Sequence, residues 1–198
     1  MISLLRPALV LFVLLSLITG VAYPLLVYGI AQAAFPHQAN GSLIVRGGKP
    51  VGSELVGQNF DAPGYFHGRP SATATAPYNP LASGGSNLGP SNPALIDTVK
   101  RRIAALRVAN PDARARIPAE LVMASASGLD PDISPQAARW QAPRVAHSRG
   151  LPLTQVQALI DAHTQAPALG LFGEARVNVL NLNLALDDAQ GGTARRKR

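Results

Sequence analysis

Apolar residues are distributed very unevenly along this chain. After Arg6 no Asp, Glu, Lys or Arg occurs until Arg46, and Ala8 to Ile30 is a near-continuous apolar run, ALVLFVLLSLITGVAYPLLVYGI. As a helix at 1.5 Å per residue, this run is about 34 Å long and crosses a hydrocarbon core of about 30 Å once. Arg6 and the small residues Ala31-Gln32-Ala33 also outline a cleaved signal peptide. A signal h-region is only about 7 to 15 residues long, however, so a retained anchor over 1–35 is the expectation. Arg6 and the amino terminus on one flank face Arg46 and Lys49 on the other, and the charge rule favours a cytoplasmic N-terminus with the remainder exported. Within the span, Ser16 and Gly20 make a small-xxx-small pair that admits a second helix, and Pro24 is a candidate kink. One helix without an ionisable residue carries no ion by itself, so a transport role has to be shared with other subunits.

Beyond the anchor the pattern predicts a linker and first strand region over 36–56, with one short apolar run at Leu43 to Val45. Gly57 to Asn92 is rich in Gly, Pro, Ser and Asn and has no helical period, yet it carries Phe60, Tyr65, Phe66, Tyr78, Leu81 and Leu88. Embedded aromatics argue for an ordered recognition loop fixed by a partner rather than for disorder. The clearest helix follows: Asn92 caps it, Pro93 suits its first turn, and Leu95, Val99, Ile103 and Leu106 recur at helical spacing before Pro111. Glu120 to Ala124 is a short strand candidate. Ser134-Pro135 opens another helix, which Pro143 should kink or divide and Gly150 should end. Thr154 to Thr164 reads as a helix with Val156, Leu159, Ile160 and His163 inward. In the last apolar segment Val177 and Val179 alternate in one register and Leu180, Leu182, Leu184 and Leu186 in the other, so a bulged strand or a strand turning into a helix is expected. Mixed helices and few strands make an α+β domain over 57–188, a single extracytoplasmic domain behind one transmembrane helix, with a polar tail from Asp187 and basic disorder over 189–198.

Composition narrows the partners. The formal charge of +7 owes four units to Arg195, Arg196, Lys197 and Arg198, so the body is only mildly basic. Aromatic residues are 5% of the chain and do not alternate with basic ones, which argues against nucleic acid. The absence of cysteine excludes a disulfide framework, a thiolate nucleophile and a Cys-ligated metal.

Candidate chemistry is sparse. Gly84 to Ser91, GGSNLGPS, has the GxxxxG spacing of a phosphate loop, but Pro90 occupies the place of the phosphate-binding Lys. His37, His67, His147 and His163 are isolated, without HExxH spacing, so no metal site is expected. A membrane-anchored exported serine hydrolase is an alternative, since a Ser-Lys dyad needs only Lys49 or Lys100, although GxSxG and SxxK are both missing. Arg69, in YFHGRPS, stands out beside Tyr65 and Phe66. Its planar fork suits a carboxylate or carbonyls across an interface, or equally an internal tie that holds its own loop.

Four segments together carry a resemblance: GQNFDAPGYFHGRPS (Gly57 to Ser71), SGGSNLGPSNP (Ser83 to Pro93), ASASGLDPDISPQAARWQAPRVAHSRGL (Ala124 to Leu151) and GEARVNVLNLNLAL (Gly173 to Leu186). In this order behind one span, they resemble the C subunit of the bacterial Kdp potassium-transporting ATPase. Met123 and Ala126 stand where Thr and Gly are expected, Asp132 where His is usual and Ala175 where Pro is usual. The resemblance implies a non-catalytic accessory subunit of an inner-membrane potassium pump, alongside a channel-like A subunit, a P-type ATPase B subunit and a very small F subunit. It also implies a catalytic chaperone that promotes ATP use by the B subunit and assists potassium entry, with no cofactor of its own and ATP met only through the complex. Gln141 and the segment Ser83, Gly84, Gly85, Ser86 would map onto a shared nucleotide contact. Tyr65, Phe66, Arg69 and Asn87 in the loop, and Ser16 and Gly20 in the span, would face partners. A periplasmic domain conflicts with direct nucleotide contact, because ATP is cytoplasmic.

Overall fold

The computed structural model describes residues 2–196. The chain forms two compact units, one up to Val51 and the other from Gly52 onward.

In the first unit, α1 (Ile2–Leu17) runs into a π-helical turn (Ile18–Ala22) and then α2 (Tyr23–Ala34). The apolar span Leu4–Ala34 is 31 residues long and exposed apart from the half-buried Ala31 and Gln32 near its end. At 1.5 Å per residue it measures about 46 Å, long enough to cross a hydrocarbon core of about 30 Å. The helix runs on through Pro24 without a break. The missing proline N–H is accommodated by the wide turn just before it, as expected when the i→i−4 ladder is interrupted. The hydroxyl of Thr19 in that turn donates to Leu15 O at 2.7 Å. The expected linker holds more structure than its composition suggests: a short α3 (Pro36–Ala39), then β1 (Leu43–Arg46) and β2 (Lys49–Ser53), paired and joined by Gly47-Gly48. Both glycines have positive φ, +57° and +75°, as a two-residue hairpin turn requires.

The second unit begins with the long loop, interrupted only by a 3-10 turn at Pro80–Ala82. Then comes α4 (Pro93–Ala109), whose cap is the expected one: the Asn92 side chain accepts from Ala94 N at 2.9 Å. The strand expected at Glu120 to Ala124 is instead a 3-10 turn, Ala119–Leu121. Glu120 gives the reason, because its carboxylate accepts from Ser134 N at 3.1 Å and from the Ser134 hydroxyl, bracing the next helix rather than a sheet. Beyond β3 (Asp132–Ile133), α5 (Pro135–Arg149) starts at Ser134, whose Oγ accepts from Ala137 N at 3.1 Å. Pro143 does not divide α5. Ala137, Ala138, Ala142, Val145 and Ala146 are all buried on it, and that packing outweighs the cost of about 3 kcal/mol for an interior proline. The helix closes at Gly150 with bonds from Gly150 N to His147 O and from Leu151 N to Ala146 O, the paired pattern of a left-handed cap.

Helix α6 (Leu153–Ala162) buries Val156 and Ile160 as its periodicity predicts. Strands β4 (Thr164–Gln165) and β5 (Arg176–Asn178) complete a three-stranded antiparallel sheet of order β3-β5-β4, with Ile133 and Thr164 both in register with Val177. At Val179 the chain turns from β5 into α7 (Val179–Arg196), which accounts for the change of apolar phase. Val179, Leu182 and Leu186 then share the buried face at helical spacing. The expected polar tail from Asp187, and the disorder expected over 189–198, give way to continuing helix as far as Arg196; Lys197 and Arg198 lie outside the described residues. Asp187 and Gln190 explain the extension in part, since both bond Arg149 of α5 at 2.9 Å. The core packs Phe66 of the loop with Ile133, Val145, Val156, Ile160, Val177 and Leu182.

Candidate functional site

The loop is ordered by its own domain. Consecutive residues Phe66 and His67 lie extended between two helices, and each is gripped by one side-chain amide. Asn183 of α7 accepts from Phe66 N at 2.8 Å and donates to Phe66 O at 2.9 Å. Gln141 of α5 does the same for His67, accepting from its N at 2.9 Å and donating to its O at 3.0 Å. Two buried amides thus stand in for the neighbouring strands of a sheet and satisfy four backbone groups that the loop would otherwise strand.

Arginines of α5 extend the clamp. Arg144 is buried and bonds Asn110 Oδ1 and Gln141 Oε1, both at 2.9 Å, together with the carbonyl of Pro63. No carboxylate is among those partners, and burial pulls its guanidinium down to about 10. Arg149 donates to Gly64 O, pairs with Asp187 at 2.9 Å and stacks 4.5 Å over the Tyr65 ring. Further along, the Ser71 hydroxyl donates to Gly128 O at 2.8 Å, and Tyr78 Oη donates to Arg69 O at 2.5 Å.

Between this loop and α4 lies a cavity of about 410 Å³, walled by Phe60, Pro70, Leu106 and Leu121 and edged by Arg69 and Arg102. Arg69 pairs with Asp130 at 3.0 Å, while its Nε is buried without a partner among the described residues. Arg102 donates to Val122 O at 2.8 Å, and burial, then the neighbouring Arg101, lowers its pKa. Tyr78, which also lines the cavity, is pushed up to about 12 by burial and then by Asp130, so it stays a neutral donor. Burial, then Arg144, lowers His67, so its ring is biased toward the neutral form. This is a rim of cationic donors over an apolar floor. It can receive carbonyl or carboxylate oxygens.

The residues singled out in the sequence fall into separate places. Gln141 lines the cavity, but both ends of its amide are engaged with His67. Ser83, Gly84, Gly85 and Ser86 are not brought to it. They lie along the segment 125–127 instead, with Gly84 N donating to Ser127 O at 2.9 Å and the Ser83 hydroxyl to the same oxygen at 3.0 Å. Phe66 corrects the expectation of a partner-facing ring: it is wholly inaccessible and belongs to the core. Tyr65 is half-buried, with its hydroxyl 3.2 Å from Asp187. Arg69 is tied to Asp130, outside its own loop, and also lines the cavity. Asn87 is exposed, with φ +52°. Ser16 and Gly20 are on the uncovered span, and nothing lies within 4 Å of a side chain built at Gly20. Asn183, Arg144 and Arg102 also belong to the site, and the first two carry a sequence signal. Asn183 interrupts the leucines of VLNLNLAL on their buried face, and Arg144 sits among apolar neighbours in APRVA.

Comparison with known proteins places this arrangement. The family described as KdpC, K+-transporting ATPase c chain, matches residues 5–188. The chain belongs to that family. A protein of Variovorax paradoxus called potassium-transporting ATPase KdpC subunit is 66% identical over 185 residues, 93% of this chain and 96% of its own length. Proteins with the same description from Ralstonia nicotianae and Yersinia enterocolitica are 64% and 58% identical, covering 94% and 93% of this chain and 91% and 92% of their own lengths. The family match takes in both the apolar span and the clamped loop.

Proposed function

We propose that this chain is a non-catalytic accessory subunit of an ATP-driven, high-affinity potassium uptake pump, working beside a channel-like A subunit, a P-type ATPase B subunit and a small F subunit. The observation that carries this reading is the commitment of Gln141, Asn183, Arg144 and Arg149 to the backbone and core of their own domain. Side chains held in this way brace the surface of the domain from beneath instead of offering free groups for chemistry. The surface is the cavity rim, where Arg69 and Arg102 receive carbonyl or carboxylate oxygens of a partner loop, while Ser16 and Gly20 admit a partner helix in the membrane. The N-terminus is cytoplasmic and the domain periplasmic in the inner membrane, as the charge rule favours. The subunit stabilises the complex at the potassium entrance and promotes ATP use by the B subunit through assembly, with ATP reaching it only through the complex.

Substituting Arg69→Ala and Arg102→Ala in the assembled pump tests this reading. Potassium uptake and recovery of partner subunits fall, while Trp140 emission of the purified chain keeps its folded spectrum. Unchanged uptake in the double variant would remove the rim from the interface.

A further inference from the structure

Between β4 and β5 the chain makes a projecting turn, APALGLFG at residues 166–173. Its three large apolar side chains are left outside: Leu169 is 89% exposed, Leu171 81% and Phe172 66%. In the rest of the second unit, exposed large apolar residues among those described occur one at a time, as at Leu81, Val108 and Leu153. Three within four residues are a patch, and a patch of this kind on a folded domain marks a contact.

The backbone of the turn satisfies part of its own hydrogen bonding. Ala168 and Phe172 exchange two N–H to carbonyl bonds of 2.9 Å. Gly170 N donates to Pro167 O at 3.0 Å and Leu171 N to Ala168 O at 3.1 Å. With the amides of Ala168, Gly170, Leu171 and Phe172 paired inside the turn, the tip has fewer backbone groups to strand as it leaves water, which lowers the cost of reaching the acyl boundary. Charge is also excluded: from Thr164 to Gly173 there is no Asp, Glu, Lys or Arg. A protein-binding patch normally carries a polar rim around its apolar centre, whereas no side chain from Ala166 to Gly173 is polar. The same chain carries a bilayer-spanning helix, so lipid is present at high local concentration whatever else is bound.

We infer that the 166–173 turn is a second membrane contact, seating Leu169, Leu171 and Phe172 in the acyl boundary of a lipid surface. The role is that of a shallow apolar anchor, of the kind that enters the headgroup and acyl boundary by several ångströms. This contact does not depend on the pump reading.

The test uses the full chain, reconstituted alone into phosphatidylcholine and phosphatidylglycerol vesicles, with Phe172→Trp compared against the parent. The parent's one tryptophan, Trp140, is 5% exposed and donates to Ala115 O, so it supplies a buried background. An exposed position tolerates the change, and denaturation of both proteins verifies the fold. The expected result is that the added emission is blue-shifted, is largely lost when the lipid acyl chains are brominated, and is resistant to aqueous iodide. Added emission that iodide quenches freely and brominated lipid leaves intact overturns the inference. So does emission shielded from iodide only after the partner subunits are added, which would assign the tip to a protein.

Discussion

The substitution Gln141→Ala separates a structural clamp from a nucleotide contact. In the folded domain the Gln141 amide makes three bonds: from His67 N at 2.9 Å, to His67 O at 3.0 Å, and from Arg144 Nη2 at 2.9 Å. The two backbone bonds are worth about 1 kcal/mol each, and the bond to a guanidinium about 1.5–3 kcal/mol. His67 is only half-buried, so water recovers part of the loss, and a net destabilisation of about 2–4 kcal/mol is expected. With a urea slope of about 2 kcal/mol per molar, the midpoint falls by roughly 1–2 M. The readout is built in: Trp140 is the adjacent residue on α5, the one tryptophan of the chain, and buried in the core cluster. Urea denaturation of the detergent-solubilised full chain, followed by its emission, gives the midpoint directly. Gln141→Glu keeps an acceptor for His67 N and Arg144 but turns an oxygen toward the His67 carbonyl, so its loss is intermediate. A nucleotide contact predicts the opposite pattern. If Gln141→Ala leaves the midpoint in place while ATP use by the assembled pump falls, the clamp argument is refuted.

Two further outcomes follow from the same loop. His67 is held below its ordinary 6.5 by burial and then by Arg144, against smaller opposing effects from the Ala62 carbonyl and Asp61. The unfolded chain therefore binds more protons than the folded one between that depressed value and 6.5, and stability climbs as pH rises through this window. Denaturation midpoints between about pH 5 and 8 should show this slope, and His67→Asn should flatten it; an unchanged slope assigns it to other groups. Gly128 has φ +68°, and a Cβ there would stand 2.6 Å from Thr73 Cγ2 and 2.8 Å from Gly84 O. Gly128→Ala should cost about 1–3 kcal/mol and lower the melting temperature; an unshifted transition would show that the contact between the 83–86 segment and the 125–128 turn yields freely.

Much of the fold was legible because local chemistry and tertiary structure agree. Asn92-Pro93 and Ser134-Pro135 start helices where the capping rules place them, and Gly150 ends one. The apolar run from Ala8 predicts the span, and the phase change after Val179 marks the exchange of strand for helix. The failures share a cause. Glu120 reads as part of a strand, but its carboxylate serves a helix start fourteen residues away, and no local pattern announces that. Phe66 and Gln141 look like surface or ligand residues beside polar neighbours, yet each is buried by a partner more than 70 positions distant. Short strands of two or three residues, held in register by such contacts, carry too little periodicity to be read. Resemblance to a family supplied the biological context that neither composition nor spacing contains.

The central claim is that this domain works only as part of a larger potassium-transporting assembly. The most direct measurement is purification of the tagged full chain in mild detergent from membranes of potassium-starved cells, with potassium-stimulated ATP hydrolysis followed across the eluate. The account predicts that the chain elutes with large multi-span polypeptides and with that activity. A chain that elutes alone, with the hydrolysis in other fractions, contradicts it.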